Sequence, residues 1–171
     1  MAASRNAASS CCRPPDAVSR ETVLHPSAAF HVKRDPLQQF LDVITDAAQR
    51  LVADKSPEAL AEHVTDARNS LPLLVGETGP LIDVGTGAGF PGLVIAALQP
   101  ERPVTLVDSR RLRIEWLGRA VEALGLDNVT LELAQVETLQ SAPCAVISAR
   151  AFAPLEKLLQ ISARFSTPDT L

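Results

Sequence analysis

Four glycines fall within eight residues in the stretch Gly85-Thr86-Gly87-Ala88-Gly89-Phe90-Pro91-Gly92, directly after Leu81, Ile82, Asp83 and Val84. Leu81, Ile82 and Val84 suit a strand buried on both faces, and the glycines let the following backbone turn tightly and approach a ligand closely. Pro91 suits the first turn of a helix continued by Leu93 to Leu98. A second apolar run, Val104 to Val107, ends in Asp108, about 20 residues past the glycines, where a carboxylate can accept hydrogen bonds from both hydroxyls of a ribose. The chemistry in prospect is nucleoside binding at the mouth of a strand-turn-helix unit.

The glycines admit two cofactors. Counted from Gly87 they spell G-x-G-x-x-G, the dinucleotide pattern; counted from Gly85 they spell G-x-G-x-G, the loop of S-adenosylmethionine-dependent methyltransferases. Asp83 bears on the choice, since a dinucleotide would bring its pyrophosphate close to that acid, and like charges roughly 4 Å apart repel by several kcal/mol at an effective dielectric near 20. S-adenosylmethionine has no phosphate and carries an ammonium and a sulfonium, so the acid favours it. An NAD(P)-dependent oxidoreductase remains the alternative.

The elements around the loop alternate strand and helix, which predicts a parallel α/β sheet. Strands are expected at 81–84, 104–107, 129–133 and 144–148. Helices are expected from Pro91 to Leu98, after Ser109 as cap with Leu112, Trp116, Leu117, Ala120, Val121 and Leu124 inward and Gly125 as stop, and from Pro154 to about Phe165. Right-handed crossovers give the strand order 3-2-1-4, a Rossmann-like methyltransferase arrangement with the ligand where the order reverses. Residues 80–171 form this domain. Upstream, residues 37–79 read as a helical extension: Leu37, Phe40, Leu41, Ile44, Ala47, Ala48 and Leu51 make one apolar stripe, and Ser56 with Pro57 opens a second helix that can run to about Leu71. Residues 1–36, with Pro14, Pro15, Pro26 and Pro36, read as an irregular or disordered leader.

At 171 residues and 46% hydrophobic the chain has material for about one soluble domain. No apolar run reaches the roughly 18 residues that a membrane-spanning helix needs. A net charge of −4 and six aromatics without a Tyr argue against a broad nucleic-acid platform, so any RNA contact must use a local patch such as Arg110, Arg111, Arg113 and Arg119. Cys11, Cys12 and Cys144 make no metal-ligand pattern with His25, His31 or His63, so no metal site is expected. That cysteine usage and the lack of a secretory signal point to a cytoplasmic protein.

The stretch DVGTGAGFPGLVIA, the acid after LV, the turn GLDNVTL and the segment VISARAFAPLEKLL together resemble the bacterial 16S rRNA guanine-N7 methyltransferases, once called glucose-inhibited division protein B. The likeness covers roughly Leu51 to Leu171. It implies methyl transfer from S-adenosylmethionine to N7 of a guanine in the decoding-region loop of 16S rRNA, with the rRNA or the small ribosomal subunit as partner. It assigns cofactor contacts to Gly85 and Phe90 in the loop, to Val136 and Glu137 beyond the third strand and to Arg150 after the fourth; Gly87, Gly89 and Asp108 join them from the motif itself. No residue reads as a catalytic base, and none is required, because guanine N7 already offers a lone pair and loses no proton before attack. The family's Trp-Asn and Arg-His pairs are replaced here by Ala48-Gln49 and Glu62-His63, an Arg by Gln135 and an Asp by Ala145. Its members also continue past a segment like SARFSTPDTL into further sheet, so the chain reads as truncated, with the 144–148 strand left as a sticky edge, and a further reading is a catalytically inactive truncated paralogue that only binds a nucleotide or a ribosomal partner.

Overall fold

The computed structural model describes residues 38, 39, 42 and 43 and residues 56–171. These all fall in the unit spanning Lys33–Leu171. The apolar stripe from Leu37 to Leu51, the leader, Cys11, Cys12, His25 and His31 lie outside the described residues.

Four short apolar runs become parallel strands: β1 (Leu81–Val84), β2 (Val104–Asp108), β3 (Val129–Leu133) and β4 (Val146–Ser148). The sheet order is β3-β2-β1-β4, as the alternation of elements predicts. Leu81 pairs with Val104 on one side and with Val146 on the other, which brings the carboxyl ends of β1, β2 and β4 to one edge. The order reverses between β1 and β4, opening a crevice there that helices cannot fill.

Both sheet faces are covered, which is why β1 is buried at all four positions. Leu81, Val104, Leu106 and Val146 pack with Leu60 and Val64 of α1 (Pro57–Asn69), Leu93 and Val94 of α2 (Gly92–Leu98) and Leu117 and Ala120 of α3 (Arg111–Leu124). The alternate residues Ile82, Val84, Val107 and Ile147 pack on the opposite face with Ile161 of α4 (Leu155–Ser162) and with Phe165. The helix ends follow local chemistry. Ser56 Oγ accepts from the Ala59 N–H at 3.3 Å with Pro57 just inside the helix, and Gly125 closes α3 in the left-handed conformation at φ 62°.

Several boundaries differ from the sequence reading. Ser109 does not cap α3; Arg110 holds the cap position, and the Asp108 carboxylate takes the Arg110 N–H instead, at 2.9 Å. Leu112, expected inward, is 77% exposed, whereas Leu117 and Ala120 further along the helix are buried. The fourth strand begins at Val146 rather than Cys144, and the last helix stops at Ser162. The outer side of β4 is also less bare than expected: the Ile147 N–H donates to the Leu171 carbonyl and the Leu171 N–H to the Ala145 carbonyl, both at 2.9 Å. Cys144, buried in the second core, has its thiol pKa pushed up by that burial.

Helix α2 crosses the sheet closely because Gly92 has no side chain. A Cβ there would lie 2.5 Å from Leu106 Cδ2 and 2.7 Å from Asp83 Oδ2. Gly92→Ala is therefore expected to destabilise the fold by about 1–3 kcal/mol through overpacking. Urea unfolding measures this, and an unchanged midpoint would show that α2 can shift without cost.

Candidate functional site

Two acids organise the carboxyl edge of the sheet, and they do different work. Asp83, in β1, is completely buried. Its Oδ1 accepts from Ser148 Oγ at 2.7 Å and its Oδ2 from the Gly92 N–H at 3.2 Å, so one carboxylate ties β1 to β4 and to the start of α2. Burial raises its pKa, opposed by those two hydrogen bonds, by the nearby Thr86 hydroxyl and by the positive charge of Arg150. Asp83 does not line the cleft, so it acts on a ligand only through its field and through the loop that it holds.

Asp108 ends β2 and lines the cleft. Its Oδ2 accepts from the Gly87 N–H at 3.1 Å and from Arg113 Nη1 at 2.9 Å. The glycine turn that brings Gly87 to this acid needs left-handed backbone, with φ +68° at Gly85 and +61° at Gly87. A Cβ on Gly85 would collide with the Phe152 ring, whereas one on Gly87 would meet nothing nearer than Arg113 Nη1 at 3.7 Å.

Between these walls lies an open cleft of about 530 Å³, lined among others by Gly85, Val107, Asp108, Arg113, Val136, Glu137, Phe152 and Lys157. It is the size of a small-ligand site and sits at the topological switch point. The turn after β3 is clamped from outside: Arg164 donates to the carbonyls of Val136, Glu137 and Leu139. Lys157 pairs with Glu137 at 3.1 Å. The Glu137 carboxyl is held below the usual carboxylate range, first by a backbone amide and then by Lys157.

The eight residues expected to contact a cofactor therefore divide. Gly85, Asp108, Val136 and Glu137 line the cleft, and Gly87 adjoins it through Asp108. Gly89 is turned to the interior, where a Cβ would press on Leu93 and Leu117 at 3.0–3.1 Å. Phe90 and Arg150 make a separate cluster with α1: the Arg150 guanidinium lies 5.3 Å over the Phe90 ring, His63 is 5.3 Å from the same ring, and Arg150 Nη1 is 3.1 Å from His63 Nδ1. Asp66 lies 3.8 Å from Arg150. Sequence reasoning missed Phe152, Lys157, Arg164 and Ser148, whose roles depend on contacts far along the chain. For Arg113 a signal existed, since it stands five residues past an acid that ends a strand, in the first turn of the next helix. Among the described residues no group of three His, Cys, Asp or Glu is placed to hold a metal ion, and no helix is long and apolar enough to cross a membrane.

A family model described as "GidB: rRNA small subunit methyltransferase G" matches residues 33–171. Ribosomal RNA small subunit methyltransferase G of Novosphingobium aromaticivorans is 60% identical over 126 residues, covering 72% of this chain and 55% of that protein. The protein of the same name from Rhizorhabdus wittichii is 45% identical over 141 residues, covering 79% and 64%. The chain thus spans little more than half the length of such curated relatives. Among solved structures, TYW2 of M. jannaschii in complex with AdoMet aligns with a TM-score of 0.58 at 14% identity, over 71% of this chain and 52% of that one. Coclaurine N-methyltransferase aligns with a TM-score of 0.56 at 19% identity, over 63% and 34%. These show the Rossmann-like methyltransferase fold.

The buried state of Asp83 makes stability depend on pH. Its folded pKa lies above the unfolded value, so between the two the folded state holds the extra proton and stability falls as pH rises. Asp83→Asn does not titrate there. In urea melts from about pH 4 to about pH 7, the stability difference is expected to move in the variant's favour as pH rises. A difference that stays constant with pH would mean that burial leaves the carboxyl unperturbed.

Proposed function

The chain belongs to the rRNA small subunit methyltransferase G family, and from that premise we propose that it carries the cofactor-binding part of an S-adenosylmethionine-dependent enzyme that methylates N7 of a guanine in the decoding-region loop of 16S rRNA. Its partner is then 16S rRNA or the small ribosomal subunit, and its place the cytoplasm. One observation supports this most directly: the glycine turn, Asp108 and the Val136-Glu137 turn converge on a single cleft where the strand order reverses.

The residues present fit the cofactor. Asp108 places an acceptor for ribose hydroxyls at the cleft wall, Val136 adds an apolar surface for a base, and Gly85 leaves room that a side chain would take from Phe152. The buried Asp83 adds negative field to the crevice and suits a cation better than a pyrophosphate, which weighs against the dinucleotide alternative. When bound, S-adenosylmethionine supplies a methyl group activated by a sulfonium. The protein's share is then alignment and exclusion of water, because guanine N7 is nucleophilic without deprotonation. That share needs no base, and the titratable groups of the cleft, Asp108, Glu137 and Lys157, are paired with one another or with arginine. Arg150, near the end of β4, supplies a cation for the cofactor carboxylate or an RNA phosphate.

Calorimetry with S-adenosylmethionine, S-adenosylhomocysteine and NAD tests the cofactor, and binding of NAD alone would overturn the reading. Asp108→Ala is expected to weaken S-adenosylhomocysteine by about 1.5–3 kcal/mol, roughly ten- to hundredfold. An unaltered dissociation constant would leave Asp108 as a tie between the glycine turn and α3. Arg150→Ala is expected to slow single-turnover methylation of 16S rRNA from a strain lacking this modification, with the melting temperature retained; equal rates would reduce Arg150 to packing on Phe90.

A further inference from the structure

Asp108 is more fully engaged than an acid awaiting two hydroxyls needs to be. Its side chain is 4% exposed. Oδ2 accepts from the Gly87 N–H at 3.1 Å and from Arg113 Nη1 at 2.9 Å, while Oδ1 accepts from the Arg110 N–H at 2.9 Å. An ionised carboxylate offers about four lone-pair positions, two on each oxygen. Oδ2 is therefore filled and Oδ1 has one position left. A ribose brings two donors, so the second finds an acceptor only if a donor already present withdraws.

The three donors differ in their freedom to do so. The Gly87 and Arg110 amides belong to the glycine turn and to the cap of α3, and moving either breaks local backbone structure. Arg113 is a long side chain, 29% exposed, on the wall of the cleft. Its Nη1 also lies over the glycine turn, 3.7 Å from where a Cβ on Gly87 would stand. The guanidinium keeps water at its back when it leaves, so the cost of parting falls on the buried carboxylate, where an incoming hydroxyl replaces the lost hydrogen bond.

We propose that Arg113 is a specificity-determining residue of this site: it occupies on Asp108 the place of one ligand hydroxyl, so that only a ligand bringing two hydroxyl donors displaces it. The proposal rests on the reading of the cleft as a nucleoside site. A ligand with one hydroxyl uses the free position on Oδ1 and leaves the arginine pair intact. A ligand with both must break that pair, and its second hydroxyl replaces what Arg113 gave up. The arginine thus competes only with vicinal diols, and its strength follows the ionic strength of the medium.

Calorimetry with adenosine and 2′-deoxyadenosine reads this directly, because both probes are uncharged and salt then acts through the protein alone. Arg113→Met keeps the stem of the side chain and removes the donor and the charge. It is expected to bind adenosine about three- to tenfold more tightly than the parent, and to gain less for 2′-deoxyadenosine. Raising KCl from about 20 to about 500 mM is expected to tighten adenosine binding by the parent and to leave the variant unchanged. Arg113→Lys, which keeps the charge but loses the planar fork, falls between the two and serves if the Met variant does not fold. A folded Arg113→Met protein that binds adenosine no more tightly than the parent, while Asp108→Ala abolishes binding, overturns the proposal and leaves the cleft reading standing. Failure of the parent to bind adenosine, or binding that survives Asp108→Ala, overturns both.

Discussion

The buried carboxylate of Asp83 is the constraint on which the crevice depends. With no solvent exposure it must satisfy its oxygens inside the protein, and it does so with the Gly92 amide at the head of α2 and the Ser148 hydroxyl in β4. A bare carboxylate at this depth would be costly, whereas hydrogen bonds to charged groups are each worth about 1.5–3 kcal/mol. The same bonds fix the register of β4 against β1 and the angle at which α2 leaves the glycine turn. The closeness of that packing explains why position 92 must be glycine, whose missing Cβ makes room for the acid itself.

Asp108 mirrors this arrangement one strand away, at the rim instead of in the interior. It gathers two backbone amides, from Gly87 and Arg110, and so pins the glycine turn to the start of α3. A carboxylate at that helix start is favoured by the exposed N–H groups and the positive end of the helix dipole. The two acids thus take different places on adjacent strands, one in the interior and one on the cleft wall. One is sealed by neutral donors; the other is shared with a partly exposed arginine.

The far wall of the cleft is built differently, by side chains reaching across from the C-terminal helix region. Arg164 gathers three consecutive-turn carbonyls after β3, Lys157 meets Glu137, and Phe152 covers Gly85. Ala151, just before that ring, takes a positive φ of 50°, an uncommon conformation for a residue with a Cβ. The backbone is bent there to turn Phe152 over the glycine loop. The cleft therefore has one wall of backbone amides and acid, and one of long side chains anchored by cations.

Local patterns in the sequence determined the four strands, the helices between them, the Ser56 and Gly125 ends and the strand order, because buried parallel strands and amphipathic helices leave strong periodic marks in neighbouring residues. They also marked Gly85, Gly87 and Asp108, which the fold brings together at the cleft, since a tight turn after a buried strand requires particular residue types at particular spacing. Only the tertiary structure decided that Gly89 faces the core, that Phe90 and Arg150 stack with His63 apart from the cleft, and that Leu112 is exposed. The partner of Asp83 was equally invisible, and that of Asp108 was marked only by its place early in the following helix. Ser148 stands 65 positions beyond Asp83, and Arg113 five beyond Asp108 on a helix whose rotation no spacing rule specifies. A hydrogen bond needs an alignment of a few tenths of an ångström, and that is settled by the packing of whole elements, which the chain reveals only once it is folded.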